Sequence, residues 1–316
     1  MSAPAPADAA RPREGWIAAQ FGLAGLVWGA SFLFIALALT GLSPVQVATA
    51  RAVLGAVTLL LLVLVTRDRL PAWGPVWGHL AVIGVMFCVV PYLLFSWAQQ
   101  YVASGLASVY NATTPIMTAL IAALVLRVER LDRAQVLGIG IGILGVVVII
   151  GPWQGVELGG DLLPQLAMLG ATACYGFSLS YMRRHLAATG LSALAMTAAY
   201  IGIAAVVLLA LTPIIGLDPV SLTPTVVGTV VALGALGTGL AYVWNQNVVR
   251  AWGATRASTV TYITPVIGVL LGILVLGERL VWNEPVGAAL VILGVLLAQG
   301  RLRVRRRPTG PVLPAA

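Results

Sequence analysis

Residues 105–148 read GLASVYNATTPIMTALIAALVLRVERLDRAQVLGIGIGILGVVV, and residues 255–297 read TRASTVTYITPVIGVLLGILVLGERLVWNEPVGAALVILGVLL. Ala107-Ser108 and Thr114-Pro115 recur as Ala257-Ser258 and Thr264-Pro265. Glu129-Arg130-Leu131 recurs as Glu278-Arg279-Leu280, and Gly138 with Leu144-Gly145-Val146 recurs as Gly287 with Leu293-Gly294-Val295. The offset is 150 residues, falling to 149 after one deletion. Outward from this pair the echo continues: Tyr92 meets Tyr242, and Trp28-Gly29-Ala30-Ser31 meets Tyr175-Gly176-Phe177-Ser178. The chain is a duplicated unit.

The unit is built for a bilayer. Of 316 residues, 60% are hydrophobic and only 9% are charged, against the quarter or so charged that a water-soluble surface requires, and the mean hydropathy is +1.00. Apolar runs of about 17 to 25 residues, each enough to cross a bilayer as a helix, fall at 16–39, 44–66, 76–98, 104–126, 134–151, 161–182, 191–215, 224–248, 257–276 and 284–302. The first of these is too long for the core of a signal peptide and is expected to stay as a span.

The net charge of +8 raises the question of nucleic acid, but its distribution excludes that partner. Every basic side chain is Arg, and all except Arg51 and Arg279 lie in segments on one side of the expected membrane, while the opposite loops carry Glu157, Asp161, Asp218, Glu278 and Glu284. The positive-inside rule then places both termini in the cytoplasm. Five spans per unit is an odd number, so the copies run in opposite directions across the bilayer. The expected fold is an all-α polytopic membrane protein of ten transmembrane helices in two inverted five-helix repeats. Residues 1–15 are expected to be a disordered cytoplasmic segment, 16–152 the first repeat, 161–302 the second, and 303–316 a basic cytoplasmic tail. All-Arg usage with abundant Ala and Gly points to a bacterial plasma membrane. Inverted repeats are a transporter architecture, with the solute site near the midplane where they meet.

The Trp28-Gly29-x-Ser31-Phe32 segment, the two Ala-Ser…Thr-Pro stretches and the two Glu-Arg-Leu motifs resemble the EamA-type members of the drug/metabolite transporter superfamily over roughly residues 16 to 302. The resemblance implies a ten-helix fold with a central cavity, and transport or export of metabolites such as amino acids.

Candidate site residues follow from what a bilayer penalises. Pro115 and Pro265, near the middle of spans four and nine, each leave a carbonyl four residues earlier without its partner. Those carbonyls belong to Asn111 and Thr261, so both prolines are read as bends that face a polar cavity. Aromatic and neutral polar residues share helix faces: Trp28 with Ser31, Tyr92 with Ser96 and Gln99, Tyr175 with Ser178, and Tyr242 with Asn245 and Gln246. Trp16, Trp73, Trp77 and Trp282 suit the membrane interface instead. Arg51, the lone charge inside a span, either grips a substrate carboxylate or snorkels outward; its counterpart falls near Ala198. Glu129 and Glu278 are read as loop charges, with gating or pairing to Arg130 and Arg279 as the alternative. His79 and His185 are read as interfacial.

Cys88 and Cys174 lie inside spans and match no metal-ligand spacing. Gly140-x-Gly142-x-x-Gly145 mimics a dinucleotide fingerprint but lacks the strand and soluble fold that motif needs; Gly138, Gly142, Gly145, Gly268 and Gly272 are read as sites of close helix contact. No cofactor, metal or catalytic constellation is expected. The partners are a small-molecule substrate and the bilayer, with a homo-oligomer left open. A chamber of Tyr, Trp, Ser, Thr, Asn and Gln with one Arg suits small neutral or zwitterionic metabolites, amino acids above all, exported by alternating access. The other class weighed is a membrane-embedded enzyme or lipid-handling scaffold, against which the lack of in-span Asp, Glu, His and Lys counts. That same lack points to facilitated diffusion down the substrate gradient, or else to weak proton linkage through an interfacial group such as Glu129, Glu278 or His79.

Overall fold

The computed structural model describes residues 14–128, 131–154 and 162–301. The expectations for residues 1–13, Glu129, Arg130, the 155–161 loop and the tail from 302 lie outside the described residues. Within them every regular element is helical. The main helices are α1 (Glu14–Ala38), α2 (Pro44–Thr66), α3 (Val76–Ala98), α4 (Ser104–Val125), α5 (Arg133–Ile150), α6 (Leu163–His185), α7 (Ala193–Ile215), α8 (Pro224–Trp252), α9 (Val260–Leu276) and α10 (Asn283–Ala298). By length and composition together, seven helices can cross a membrane: α1 to α5, α7 and α8. The hydropathy pattern expected ten. Helices α9 and α10 are apolar but shorter. The more polar α6 carries Gln165, Thr172, Ser178, Ser180 and a basic last turn of Arg183, Arg184 and His185.

Helix ends follow from local chemistry. The Gln46 side chain accepts from the Ser43 N–H at 2.9 Å in front of Pro44, whose missing N–H costs nothing in a first turn. Asp132 and Gln135 cap α5 reciprocally, at 2.9 and 2.8 Å. Gly151 and Gly277 end α5 and α9 at φ of 61° and 67°, a conformation glycine adopts without a Cβ clash.

Pro115 does not sit where the sequence pattern expects it. In α4 the helix breaks at Ala112–Thr113, and Pro115 sits in the first turn of the following piece rather than in mid-helix. The carbonyl of Asn111 is not left to a cavity: the Thr114 hydroxyl donates to it at 2.7 Å. Pro265 does lie inside α9.

Packing joins the halves throughout. Helix α1 packs on α8 and α9, and α6 packs on α3 and α4; α2 meets α7, α4 meets α9, and α5 meets α10. The α5/α10 seam is made of glycine. A Cβ on Gly138 would stand 2.4 Å from the Ala298 nitrogen, on Gly145 2.7 Å from the Gly287 carbonyl oxygen, and on Gly294 2.5 Å from the Gly142 nitrogen, so backbone meets backbone. The reading of these glycines as contact sites holds. Gly140, the first glycine of the apparent fingerprint, has open space at its Cβ position. Away from these contacts Leu64, Val65, Leu124, Val206 and Leu274 point outward, the large apolar surface that lipid requires.

Candidate functional site

Two widened helical stretches shape the centre of the molecule. In α3, Pro91 has no N–H to offer the carbonyl of Phe87, and the helix opens into π-type turns over Gly84–Val89 just before it. In α8 the run ALGALGTGL, Ala232–Leu240, opens in the same way, 150 residues further on. Such turns shift the backbone bonding by one residue and recur where helices serve a site. Here they turn α8 toward its neighbours: the Trp28 indole donates to the Gly237 carbonyl at 3.0 Å, and Arg51 Nε donates to Thr238 Oγ1 at 3.0 Å.

Arg51, half-buried two turns into α2, holds its guanidinium carbon 3.9 Å from the ring centroid of Tyr92. It does not snorkel. The ionisable groups that bear on it are Tyr92, Tyr175, Tyr242 and Cys88; among the described residues no carboxylate does. An arginine at mid-membrane costs about 2.5–3.5 kcal/mol on insertion scales. A desolvated cation–π contact contributes about 2 kcal/mol, and a hydrogen bond from a charged donor about 1.5–3 kcal/mol. Together these offset the cost without a counter-ion. The terminal nitrogens take no acceptor from the described residues, and the buried Tyr92 hydroxyl faces only the weakly accepting Cys88 thiol.

Aromatic rings wall this point. Trp28 meets Tyr242 edge-on at 5.7 Å. Phe87 touches Tyr175 at 5.0 Å and Tyr200 at 5.8 Å, and Phe95 stacks on Tyr175 at 6.1 Å. A cavity of about 470 Å³ leads in from the face that carries Arg67, Asp68 and Arg250, and reaches Leu59 and Tyr242. A second, of about 620 Å³, shares Asn247 and Arg250 with it and lies against Gln20 and Trp16. At the other end of the molecule the Glu278 carboxylate accepts from the Ser104 N–H at 2.6 Å and the Gly105 N–H at 2.9 Å. Glu278 therefore ties the end of α9 to the start of α4 as a helix cap. Pairing with Arg279 is replaced by this contact.

Of the residues singled out from the sequence, Trp28, Arg51, Tyr92, Tyr175 and Tyr242 come together here. Ser31 lies beside Gly237 but donates to the Val27 carbonyl at 2.9 Å. Ser178 is buried and donates to Cys174 O at 2.8 Å, and Thr261 donates to Ser258 O at 2.7 Å, so both spend their hydroxyls on their own chain. Ser96 is buried one turn beyond Tyr92, Asn245 is half-buried one turn beyond Tyr242, and Asn111 sits at the α4 break. Sequence reasoning missed Thr238, Phe87, Cys88 and the π-type turns; Pro91 was the one signal for the turn in α3. Both cysteines are free thiols. His79 Nδ1 lies 2.8 Å from the Tyr181 hydroxyl, and its ring stacks on His185 at 4.8 Å where α3 begins and α6 ends.

Comparison with known proteins gives the same outline. The EamA-like transporter family matches residues 16–151 and again 162–299. An uncharacterized transporter of Archaeoglobus fulgidus is 27% identical over 275 residues, covering 85% of this chain and 94% of that protein. The uncharacterized inner membrane transporter YedA of Escherichia coli K12 is 25% identical, covering 86% and 87%. The uncharacterized transporter YdfC of Bacillus subtilis is 24% identical, covering 85% and 86%. A solved crystal structure superposes with a TM-score of 0.61 at 19% identity, over 87% of this chain and 97% of its own, and so shares the fold. The chain belongs to the EamA-like transporter family and is a membrane transporter.

Proposed function

We propose that this EamA-like transporter exports small amphipathic metabolites, amino acids among them, by alternating access around the Arg51 chamber. The observation that carries the reading is a cation held two turns inside α2 with unclaimed donors, against Tyr92 and among the rings of Trp28, Tyr175 and Tyr242, the last of which also lines a cavity open to one face. On this reading the chain spans the bilayer ten times as two inverted repeats, in a bacterial plasma membrane with both termini inside. Matched pairs support that layout: α1 with α8 and α9, answered by α6 with α3 and α4. The α10 helix, 16 residues long, is about 24 Å at 1.5 Å per residue, a few ångströms short of the hydrocarbon core.

The test has two arms. Tags after residue 10 and after residue 310 should both be cytoplasmic and a tag within 154–160 external; termini on opposite sides would end the ten-span reading. In proteoliposomes, labelled amino acids and related metabolites should cross faster than in protein-free vesicles. Trp28→Ala, Tyr92→Ala and Asn111→Ala should each slow the flux while protein level and insertion stay near normal. Unimpaired flux in all three variants would remove the chamber from the transport path.

A further inference from the structure

We infer that the group recognised beside Arg51 is a carboxylate, and that among small amphipathic metabolites the solute held most tightly is a monoanionic acid with an aromatic-sized apolar body, ahead of the zwitterionic amino acid and the amine of the same size. This rests on reading the chamber as the transport site, and narrows the solute to one charge type.

Charge is the first argument. Arg51 cannot lose its proton at any accessible pH, and among the described residues no acidic side chain bears on it. A cation–π contact and one hydrogen bond make it tolerable in the membrane, but leave a net positive charge that only an incoming anion cancels. Geometry is the second. With Nε spent on Thr238 and the guanidinium lying over Tyr92, the terminal nitrogens remain, the pair that grips a carboxylate through two parallel hydrogen bonds. The buried Tyr92 hydroxyl, which faces only the weakly accepting Cys88 thiol, is a neutral donor in the same place.

The third argument concerns what is missing for an ammonium group. A zwitterion would bring its own cation beside Arg51, where no carboxylate receives it, and the Tyr92 face that could hold it is already covered by the guanidinium. A phosphate dianion would require more than this single cation. The body of the solute faces Trp28, Phe87, Tyr175 and Tyr242, which suits a ring or a branched chain better than a sugar. At the mouth of the cavity Arg67 and Arg250 set a basic rim. Its one acid, Asp68, already accepts from the Ser192 hydroxyl and from the Arg69 N–H.

The experiment uses four probes of one size with the full-length protein in nanodiscs and in liposomes: 3-phenylpropionate, 3-phenylpropionamide, phenylalanine and phenethylamine. Equilibrium dialysis should show 3-phenylpropionate bound at least tenfold more tightly than the other three. Arg51→Gln should lower that affinity roughly 10- to 100-fold, the size of a lost charged hydrogen-bond pair, and leave the amide unchanged. Arg51→Lys should fall between, because an ammonium keeps the charge and loses the planar fork. Thr238→Val keeps the charge and frees Nε, so it should shift the acid by a smaller factor even if Arg51→Gln fails to fold. Equal or tighter binding of phenylalanine or phenethylamine, or no binding of the acid, overturns the inference. Passage of the amide or the amine through liposomes without the acid leaves the transporter standing and removes only the anion. If none of the four crosses and no amino acid crosses either, the transporter reading falls as well.

Discussion

Gly29 of α1 lies against Ile267 and Thr264 of α9, and Gly176 of α6 lies against Met117 and Thr118 of α4. The two glycines hold equivalent places in the duplicated sequence, and so do Met117 and Ile267, 150 residues apart. The widened stretches in α3 and α8 answer each other in the same way. Arg51 of α2 has no answer: the position paired with it in α7 falls near Ala198, small and fully packed. Contacts that hold helices together were kept in both copies, because each copy needs the same close approach. The charge stands in one, since two uncompensated cations inside the bundle would repel each other and each would carry its own insertion cost.

The largest effects test the shared scaffold. Gly29→Leu and Gly176→Leu should both prevent recovery of folded protein, since even a Cβ would come within 2.6 Å of Ile267 in the first case and 2.7 Å of the Thr118 nitrogen in the second. The milder Gly29→Ala and Gly176→Ala should each cost about 1–3 kcal/mol through overpacking, read as comparable drops in melting temperature in detergent. Gly140→Ala, with open space at its Cβ, should cost nothing. A tolerated Gly176 variant beside a ruined Gly29 variant would break the correspondence between the halves.

Next in size is the consequence of unequal charge. With no titratable group among the described residues beside Arg51 other than tyrosines and Cys88, an imposed pH gradient should not drive uphill accumulation of solute. A membrane potential of about 100 mV should redistribute a monoanion roughly fifty-fold, the equivalent of about 2.3 kcal/mol per charge. Accumulation that follows the pH gradient and collapses with a protonophore would show coupling through a group outside the chamber. Smaller again is Trp28→Phe, which keeps the ring against Tyr242 and loses the bond to Gly237 O. About 0.5–1.5 kcal/mol should appear as a several-fold fall in flux. Ala198→Ser should leave flux unaltered, since the second copy supplies no charge to disturb.

What could be read from the chain alone divides along a physical line. Hydropathy is a sum over neighbours in sequence, so helix positions came within a few residues, as with 44–66 against Pro44–Thr66 and 134–151 against Arg133–Ile150. Arg51 stood out because a lone charge in an apolar run is locally anomalous. Its partner did not, because Thr238 lies 187 residues away in a glycine-rich stretch with no distinguishing pattern. Ser31, Ser178 and Thr261 were overvalued for a related reason: a hydroxyl in a helix can return its proton to the preceding turn, and sequence does not reveal which ones do. Pro115 was misplaced because the same proline suits a mid-helix kink or the first turn of a new helix, and the Ala112–Thr113 break decides between them. Glu278 looked like any solvated loop charge, since its capping partners belong to a helix 174 residues earlier.

The glycine seam between α5 and α10 has a bearing on how such a molecule can move. Side chains yield by changing rotamer, but along this seam Gly138, Gly142 and Gly145 put main chain against the main chain of Gly287, Gly294 and Ala298, and no soft layer lies between to absorb a sliding step. The pair is a keel: it turns as one plate or stays still, and any rocking that exposes Arg51 first to one face and then to the other must be taken up by the remaining helices swinging past it.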